Sequence, residues 1–173
     1  EDTTPARAAE DVGILTAMTG AGEDMRLALH ESYRTPGELH FKIFRGDSDI
    51  PLSEALPLLE NAGMKVDTEQ VHTLDARGAK ACVQDFVVRP ASPLAFKLED
   101  LHARFEDAFH AIWHGRAEND HFNALVLHAG LGWRQIAMLR GYCKYQQQVG
   151  TPFSQTYMEE TLNRYPLIAG LLA

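Results

Sequence analysis

The chain has 173 residues, of which 45% are hydrophobic and 23% charged, a composition typical of a folded globular protein rather than a disordered one. Its 24 acidic residues outnumber 16 basic ones and give a formal net charge of -8, which argues against nucleic acid or an anionic membrane surface as a partner. No apolar stretch approaches the roughly 20 residues that cross a bilayer, and no signal peptide opens the sequence, so we expect a cytoplasmic protein.

The first half of the sequence predicts helices that alternate with pairs of strands. In chain order, the predicted elements are a helix at 4–18, a hairpin at 25–29 and 39–43, a helix at 52–62 and a second hairpin at 64–74 and 79–88. Gly63 stops the second helix. Pro57 falls inside that helix, where it is tolerated only near the first turns.

This αββαββ order predicts an α+β fold, in which an antiparallel, ferredoxin-like sheet carries both helices on one face. Pro90 and Pro93 end the last strand because neither can donate to a sheet ladder. We therefore expect an α+β domain at 1–90 and a small all-helical domain at 91–173. The helices predicted for the second domain are one beginning after Lys97, those at 119–129, 133–149 and 154–165, and a truncated one at 167–173.

The sequence carries no short motif of a common catalytic or nucleotide site, such as GxGxxG, GxxxxGK[ST], HExxH or GxSxG. Gly20 and Gly22 come nearest to a phosphate loop, but they precede a strand, whereas a phosphate cradle needs a helix N-terminus behind it. Cys82 and Cys143 belong to no metal-ligand cluster, and we expect reduced core thiols. We therefore assign no catalytic, cofactor-binding or metal-ligating residue.

Ordinary structural roles suit the remaining acidic and histidine side chains. His110 and His114 are spaced to share one face of a helix and could hold a metal, but no third ligand is placed, so we expect surface histidines. Glu31, Asp85 and Glu99 could be paired for acid-base chemistry only if burial separated their pKa values. We expect all three carboxylates to be solvated.

Arginine and tyrosine side chains of the helical region offer a second set of candidates. Arg134 and Arg140 could clamp a carboxylate, but six residues apart they do not share a helix face, so we expect surface positions. A ligand cleft could be lined by the aromatic side chains of this region, which are Trp113, Trp133, Tyr142, Tyr145 and Tyr157. Core and interdomain packing is the interpretation that we favour for these aromatic side chains.

The loop that follows the second strand is the most informative local feature of the sequence. It leads into a helix N-terminus, where free N–H groups and the helix dipole favour a carboxylate. The alternative, which local chemistry favours, is that an acidic or serine side chain of the loop caps the helix. The residues of this candidate effector loop are Arg45, Gly46, Asp47, Ser48 and Asp49.

Four segments of the sequence carry a family resemblance. They are residues 41–46 with 50–66, the strand at 83–86, the segment at 107–123, and LVLHAGLGWRQIAMLRGYCKY at 125–145 with the following 146–155. In this order they resemble the large bacterial type of NAD-specific glutamate dehydrogenase. The first two segments are similar to an ACT-like regulatory domain of its N-terminal arm, and the last two to its helical region. Residues 1–22 match nothing in that family.

The resemblance implies a parent enzyme that converts L-glutamate, NAD and water to 2-oxoglutarate, ammonia and NADH in a cytoplasmic homo-oligomer. The family's dehydrogenase and dinucleotide-binding domains follow later in the polypeptide, so we expect this chain to be inactive alone and to hold no cofactor. Its expected partners are other domains and subunits of the parent and a small amino acid at the loop of residues 45–49. The alternative is a purely architectural interdomain or oligomerisation module without a ligand.

Overall fold

The computed structural model describes residues 5–32, 35–46, 48–76, 79–94 and 96–173. The elements of the first half are α1 (Pro5–Ala21), β1 (Met25–Glu31), β2 (Leu39–Arg45), α2 (Leu52–Asn61), β3 (Met64–Ala76) and β4 (Ala79–Pro90). The second half contains α3 (Leu98–Trp113), a 3-10 turn (His121–Ala124), α4 (Leu125–Ala129), α5 (Trp133–Gln148), α6 (Gln155–Arg164) and α7 (Pro166–Leu172). No helix among the described residues is both long enough and apolar enough to span a bilayer.

The predicted fold class, an antiparallel sheet with helices that is followed by a helical region, is confirmed. The residues form two compact units, one of which extends to Leu52 and includes Val66–Arg89. The other comprises Ser53–Lys65 and Pro90–Ala173. The domain boundary expected between residues 90 and 91 stays a prediction.

The sheet has the strand order β1-β2-β4-β3. Strand β2 pairs antiparallel with both neighbours, so that Phe41 lies opposite Phe86 and Lys42 opposite Asp85. Successive residues of a strand point to opposite faces. Because Phe41 and Phe44 are both 0% exposed, both faces of this central strand are covered, which a simple alternation of polar and apolar residues does not reveal.

Helix α1 covers one face of the sheet. Leu15 and Met18, one helical turn apart, pack with Phe44 of β2 and Val83 of β4 in a buried cluster. Burying such apolar side chains contributes about 1.5–3 kcal/mol each. Toward the N-terminus of α1 the contact becomes polar, and there Asp11 reaches Lys42.

Helix α2 accommodates a proline in its second turn. Pro57 is the sixth residue of α2 and therefore lies in its second turn, which agrees with the expectation of a position near the first turns. The hydrogen bond that its missing N–H cannot make would have ended on the carbonyl of Ser53. Ser53 is exposed, and water can therefore satisfy that carbonyl.

The turn after α2 is tied to the helical region of the second unit. Gly63 has φ of +84°, and a Cβ at this position would lie 3.1 Å from Cβ of Ala124. The Asn61 amide donates to Asn119 Oδ1 at 3.1 Å, and the Ala91 N–H donates to the Gly63 carbonyl at 2.8 Å. Glycine is needed here for its backbone conformation and for close packing.

The helix predicted at 119–129 is divided into a 3-10 turn and the short α4. The Asp120 carboxylate accepts a hydrogen bond from the Phe122 N–H at 3.2 Å and caps the 3-10 turn. Gly130, with φ of +63°, ends α4 in the left-handed conformation. Side-chain capping and a glycine stop thus shorten a segment whose apolar spacing alone suggests one longer helix.

Candidate functional site

The candidate effector loop is anchored at its far end by a buried glutamine. Gln84, 1% exposed, accepts the Ile50 N–H at 2.9 Å and donates to the Ile50 carbonyl at 2.7 Å. The Ile50 side chain is itself fully buried. The Gln84 carboxamide therefore satisfies both backbone polar groups of Ile50 and fixes the position of the residue that follows the loop.

The described residues before that anchor are accessible. Gly46, Ser48 and Asp49 are exposed, and Arg45 is partly buried. Asp47 lies outside the described residues. Asp49 exposes a negative charge to solvent, and the role of the loop as an effector site remains a prediction.

A cluster of charged side chains that local sequence reasoning missed lies between α1 and the sheet. Lys42, 4% exposed, donates from Nζ to Asp11 Oδ2 at 2.6 Å, and Nζ lies 3.9 Å from Asp85 Oδ2. Asp85 Oδ1 lies 2.9 Å from Nδ1 of His40, which is 6% exposed. Helix α1 supplies the carboxylate of Asp11. Strands β2 and β4, which follow α1 in the chain, supply the other three side chains.

A cavity of about 310 Å³ opens beside these groups. Its lining residues are Ala8, Asp11, Val12, Lys42, Gln70, His72, Leu74, Val83 and Asp85. The expectation that Asp85 is solvated is wrong, because its side chain is only 13% exposed and engages His40. Glu31 and Glu99 are exposed, as predicted.

The helical unit contains a buried ion pair. Arg140, 3% exposed, holds Asp120 with two hydrogen bonds of 2.6 and 2.7 Å and donates to Asn123 Oδ1 at 3.0 Å. The prediction of a surface position for Arg140 is therefore wrong, whereas Arg134 is exposed as predicted. Since the guanidinium is already engaged by protein acceptors, its arrangement indicates a structural role.

The three tyrosines of the helical unit do not enter its core. Tyr142, Tyr145 and Tyr157 are 59%, 63% and 52% exposed, so the expectation of core packing is wrong for them. Together with Phe153 and Leu172 they line a groove of about 830 Å³ along α5, α6 and α7. Aromatic rings that form one exposed surface are typical of a contact site rather than of a core.

The remaining candidates are a pair of histidines and a pair of glycines. The rings of His110, which is partly buried in α3, and of His114, which is exposed and follows the last residue of α3, lie 4.5 Å apart, centroid to centroid. Gly20 is in the last turn of α1 and Gly22 follows its end. A dinucleotide phosphate needs the N–H groups of a helix N-terminus, and this C-terminus presents carbonyls instead, so these glycines do not fit NAD.

Neither Cys82 nor Cys143, both of which the structure describes, forms a disulfide bond. Cys82 is buried in β4. Cys143 is partly buried on α5, and burial, followed by the negative charge of Glu159, raises the pKa of its thiol. A raised pKa leaves less thiolate at neutral pH, so the structure gives Cys143 no features of a reactive nucleophile.

Comparison with known proteins matches both parts of the chain. Residues 24–101 match the ACT3 domain of glutamate dehydrogenase, and residues 117–173 match helical motif 3 of glutamate dehydrogenase. NAD-specific glutamate dehydrogenases of Halomonas elongata, Mycobacterium tuberculosis and Pseudomonas aeruginosa are 34%, 37% and 38% identical over 96%, 94% and 76% of this chain. The aligned part is 11%, 10% and 8% of those relatives, so the chain spans about a tenth of their length.

Proposed function

Because this chain belongs to the NAD-specific glutamate dehydrogenase family, we propose that it is a non-catalytic regulatory and scaffolding segment of such an enzyme. The observation that carries the proposal is that an ACT3 match is followed by a helical motif 3 match within a tenth of the relatives' length. The whole enzyme, a cytoplasmic homo-oligomer, converts L-glutamate, NAD and water to 2-oxoglutarate, ammonia and NADH. NAD is bound by other parts of that polypeptide.

The absence of turnover is the first part of the proposal to test. The purified chain is mixed with L-glutamate and NAD, and NADH is followed by its absorbance. We expect no NADH above the rate of a sample without protein, since the glycines that come nearest to a phosphate loop lie at a helix C-terminus. Formation of NADH in proportion to the chain would contradict a non-catalytic role.

The regulatory part of the proposal is that an amino acid binds at the loop of residues 45–49. The loop is anchored by the two hydrogen bonds between Gln84 and Ile50, and its residues Ser48 and Asp49 are exposed to solvent. Arg45 would attract the carboxylate of the ligand and Asp49 its ammonium group. An anchored loop with exposed polar groups can bind a small ligand without a large ordering cost.

A thermal-shift screen tests this effector site. The chain is heated with each amino acid, with NAD and with 2-oxoglutarate, because a ligand that binds the folded state alone raises its stability. We expect a saturable shift with an amino acid that is lost in the variant Ser48→Ala/Asp49→Asn. The matched control Ser92→Ala/Asp107→Asn changes two exposed residues elsewhere and keeps the shift. A shift that survives the loop substitutions would place the ligand elsewhere.

The second candidate is a purely architectural module, and the aromatic groove favours it. The groove of about 830 Å³ is lined mainly by apolar and aromatic side chains. With about nine tenths of the relatives' length outside this chain, another part of the same polypeptide is the occupant that we propose. If no compound shifts the melting temperature of the wild-type chain, the architectural function replaces the regulatory one.

A further inference from the structure

The charged cavity beneath α1 has an unused hydrogen-bonding capacity at its base. A lysine ammonium carries three N–H donors, and Lys42 uses one of them on Asp11. Asp85 Oδ2, at 3.9 Å, is too far for a hydrogen bond. Among the described residues, no further acceptor takes a hydrogen bond from Lys42, although its side chain is only 5% exposed. A buried ammonium in this state favours a ligand that brings an acceptor.

The charges around Lys42 restrict what that ligand can be. Two carboxylates, Asp11 and Asp85, flank the single ammonium, and the cluster therefore attracts a positive group as well. A dianion such as 2-oxoglutarate would meet repulsion from both carboxylates. A molecule with one carboxylate and one ammonium satisfies both requirements and adds no net charge.

The volume and the lining residues of the cavity further restrict which ligands it can bind. Its volume of about 310 Å³ is at the lower end of the range of small-molecule sites, about 300–1,000 Å³, and excludes a dinucleotide. Val12, Leu74 and Val83 form an apolar part of the wall, whereas Gln70 and His72 contribute polar groups on β3. A compact ligand with a short aliphatic portion matches this lining.

We infer that this cavity binds a small zwitterionic α-amino acid, whose carboxylate accepts from Lys42 and whose ammonium group donates to Asp11 and Asp85. The inference rests on the regulatory function proposed above and gives that function an alternative location to the loop of residues 45–49. It also assigns a role to α1, because Asp11 and the wall residue Val12 come from this helix.

The test measures binding of L-alanine to the purified chain by calorimetry and by thermal shift. Acetate and ethylamine, which each carry one of the two charged groups of L-alanine, are the comparison probes. We expect L-alanine to bind saturably and each comparison probe to bind about tenfold or more weakly, since each loses a charged hydrogen bond. Acetate binding as strong as that of L-alanine would identify an anion site and overturn the inference.

Two substitutions locate the site without disturbing the ion pairs. Ala8→Leu fills the cavity from an exposed position on α1, and Ala17→Leu makes the same change at an exposed position of α1 outside the cavity. We expect Ala8→Leu to weaken L-alanine binding about tenfold or more and Ala17→Leu to leave it unchanged. Both variants keep a good helix former, so folding is preserved.

The loop variant Ser48→Ala/Asp49→Asn separates this inference from the function on which it rests. Binding that is lost in Ala8→Leu and kept in the loop variant supports the cavity. Binding that is lost in the loop variant and kept in Ala8→Leu overturns the cavity site while the regulatory function stands. If no amino acid binds the wild-type chain, both are wrong.

Discussion

At the scale of single residues, the buried Arg140 links two segments of the helical unit. It joins α5 to the segment before the 3-10 turn by holding Asp120 in a two-point contact, and it also donates to Asn123. Neither charge has ready access to water, since the two side chains are 4% and 14% exposed. Loss of one partner would therefore leave the other buried and uncompensated.

We expect Arg140→Met to lower the free energy of unfolding by about 3–5 kcal/mol, the usual cost of a broken buried pair. The double variant Arg140→Met/Asp120→Asn removes both charges and should recover part of that loss. Arg164→Met, at an exposed arginine of α6, is the control and should change stability by less than about 0.5 kcal/mol. Urea unfolding measures the free energy of unfolding of the three variants. Equal effects of Arg140→Met and Arg164→Met would show that the pair is unimportant.

Gly130 is a second residue at which the effect of a substitution on stability can be predicted. Its φ is +63°, and an added Cβ would lie 3.2 Å from the ring of Phe96. We expect Gly130→Ala to destabilise the chain by about 1–2 kcal/mol. Gly141→Ala, inside α5 with nothing within 4 Å of its Cβ, should instead stabilise it by about 0.5–1 kcal/mol. Thermal unfolding of the two variants should shift in opposite directions, and shifts of the same sign would contradict this explanation.

The buried charged groups that local sequence reasoning missed or placed at the surface share one physical cause. Lys42 alternates with Phe41 and Ile43, which predicts an outward-facing side chain, but α1 covers that face. Its partner Asp11 is 31 residues away in the chain, and Asp120 is 20 residues from Arg140. The local pattern of polar and apolar residues gives the spacing within one helix or strand. It carries no information on which distant element supplies a partner charge.

At the scale of elements, local signals are strong enough to locate most helices and strands. The predicted segments 64–74 and 79–88 correspond to β3 (Met64–Ala76) and β4 (Ala79–Pro90). Ser154, predicted as a cap, accepts the Tyr157 N–H at 3.1 Å and begins α6. These features follow from alternation and capping, which are properties of a few neighbouring residues.

The pairing of β3 with β4 also has a pH-dependent component. Arg89 donates to both carboxylate oxygens of Asp67 at 2.5 and 2.7 Å, and this hydrogen bond lowers the pKa of Asp67. When the pKa is lower in the folded state, the stabilisation is complete above the unfolded value of about 3.9 and is lost as pH falls through the folded value. The stability advantage of wild type over Asp67→Asn should therefore disappear in acid.

Thermal unfolding of wild type and Asp67→Asn from about pH 7 down to about pH 3 tests this component. Arg89 is 58% exposed, so we expect a small difference between the two proteins, which salt reduces further. If the stability difference between the two proteins stays constant over this pH range, Asp67 acts through its size or its backbone preference and not through its charge.

At the scale of the whole molecule, the helical unit leaves a large apolar surface uncovered. Helix α7 buries Ala169, while Leu167 and Leu171 are 84% and 88% exposed. The aromatic groove lies beside it and includes Leu172. In a chain that spans about a tenth of its relatives, we propose that this surface contacts another part of the same polypeptide. Without that contact, exposed apolar side chains favour association between copies.

We expect the purified chain to self-associate as its concentration rises, and Leu167→Glu/Leu171→Glu to weaken that association. Stability should change little, because both side chains are exposed in the folded chain. Gln148→Glu/Thr156→Glu adds the same charge at two other exposed positions and controls for general repulsion between acidic chains. Sedimentation velocity over a concentration series distinguishes the variants. If the α7 variant and its control associate alike, another surface mediates the contact and α7 has no part in assembly.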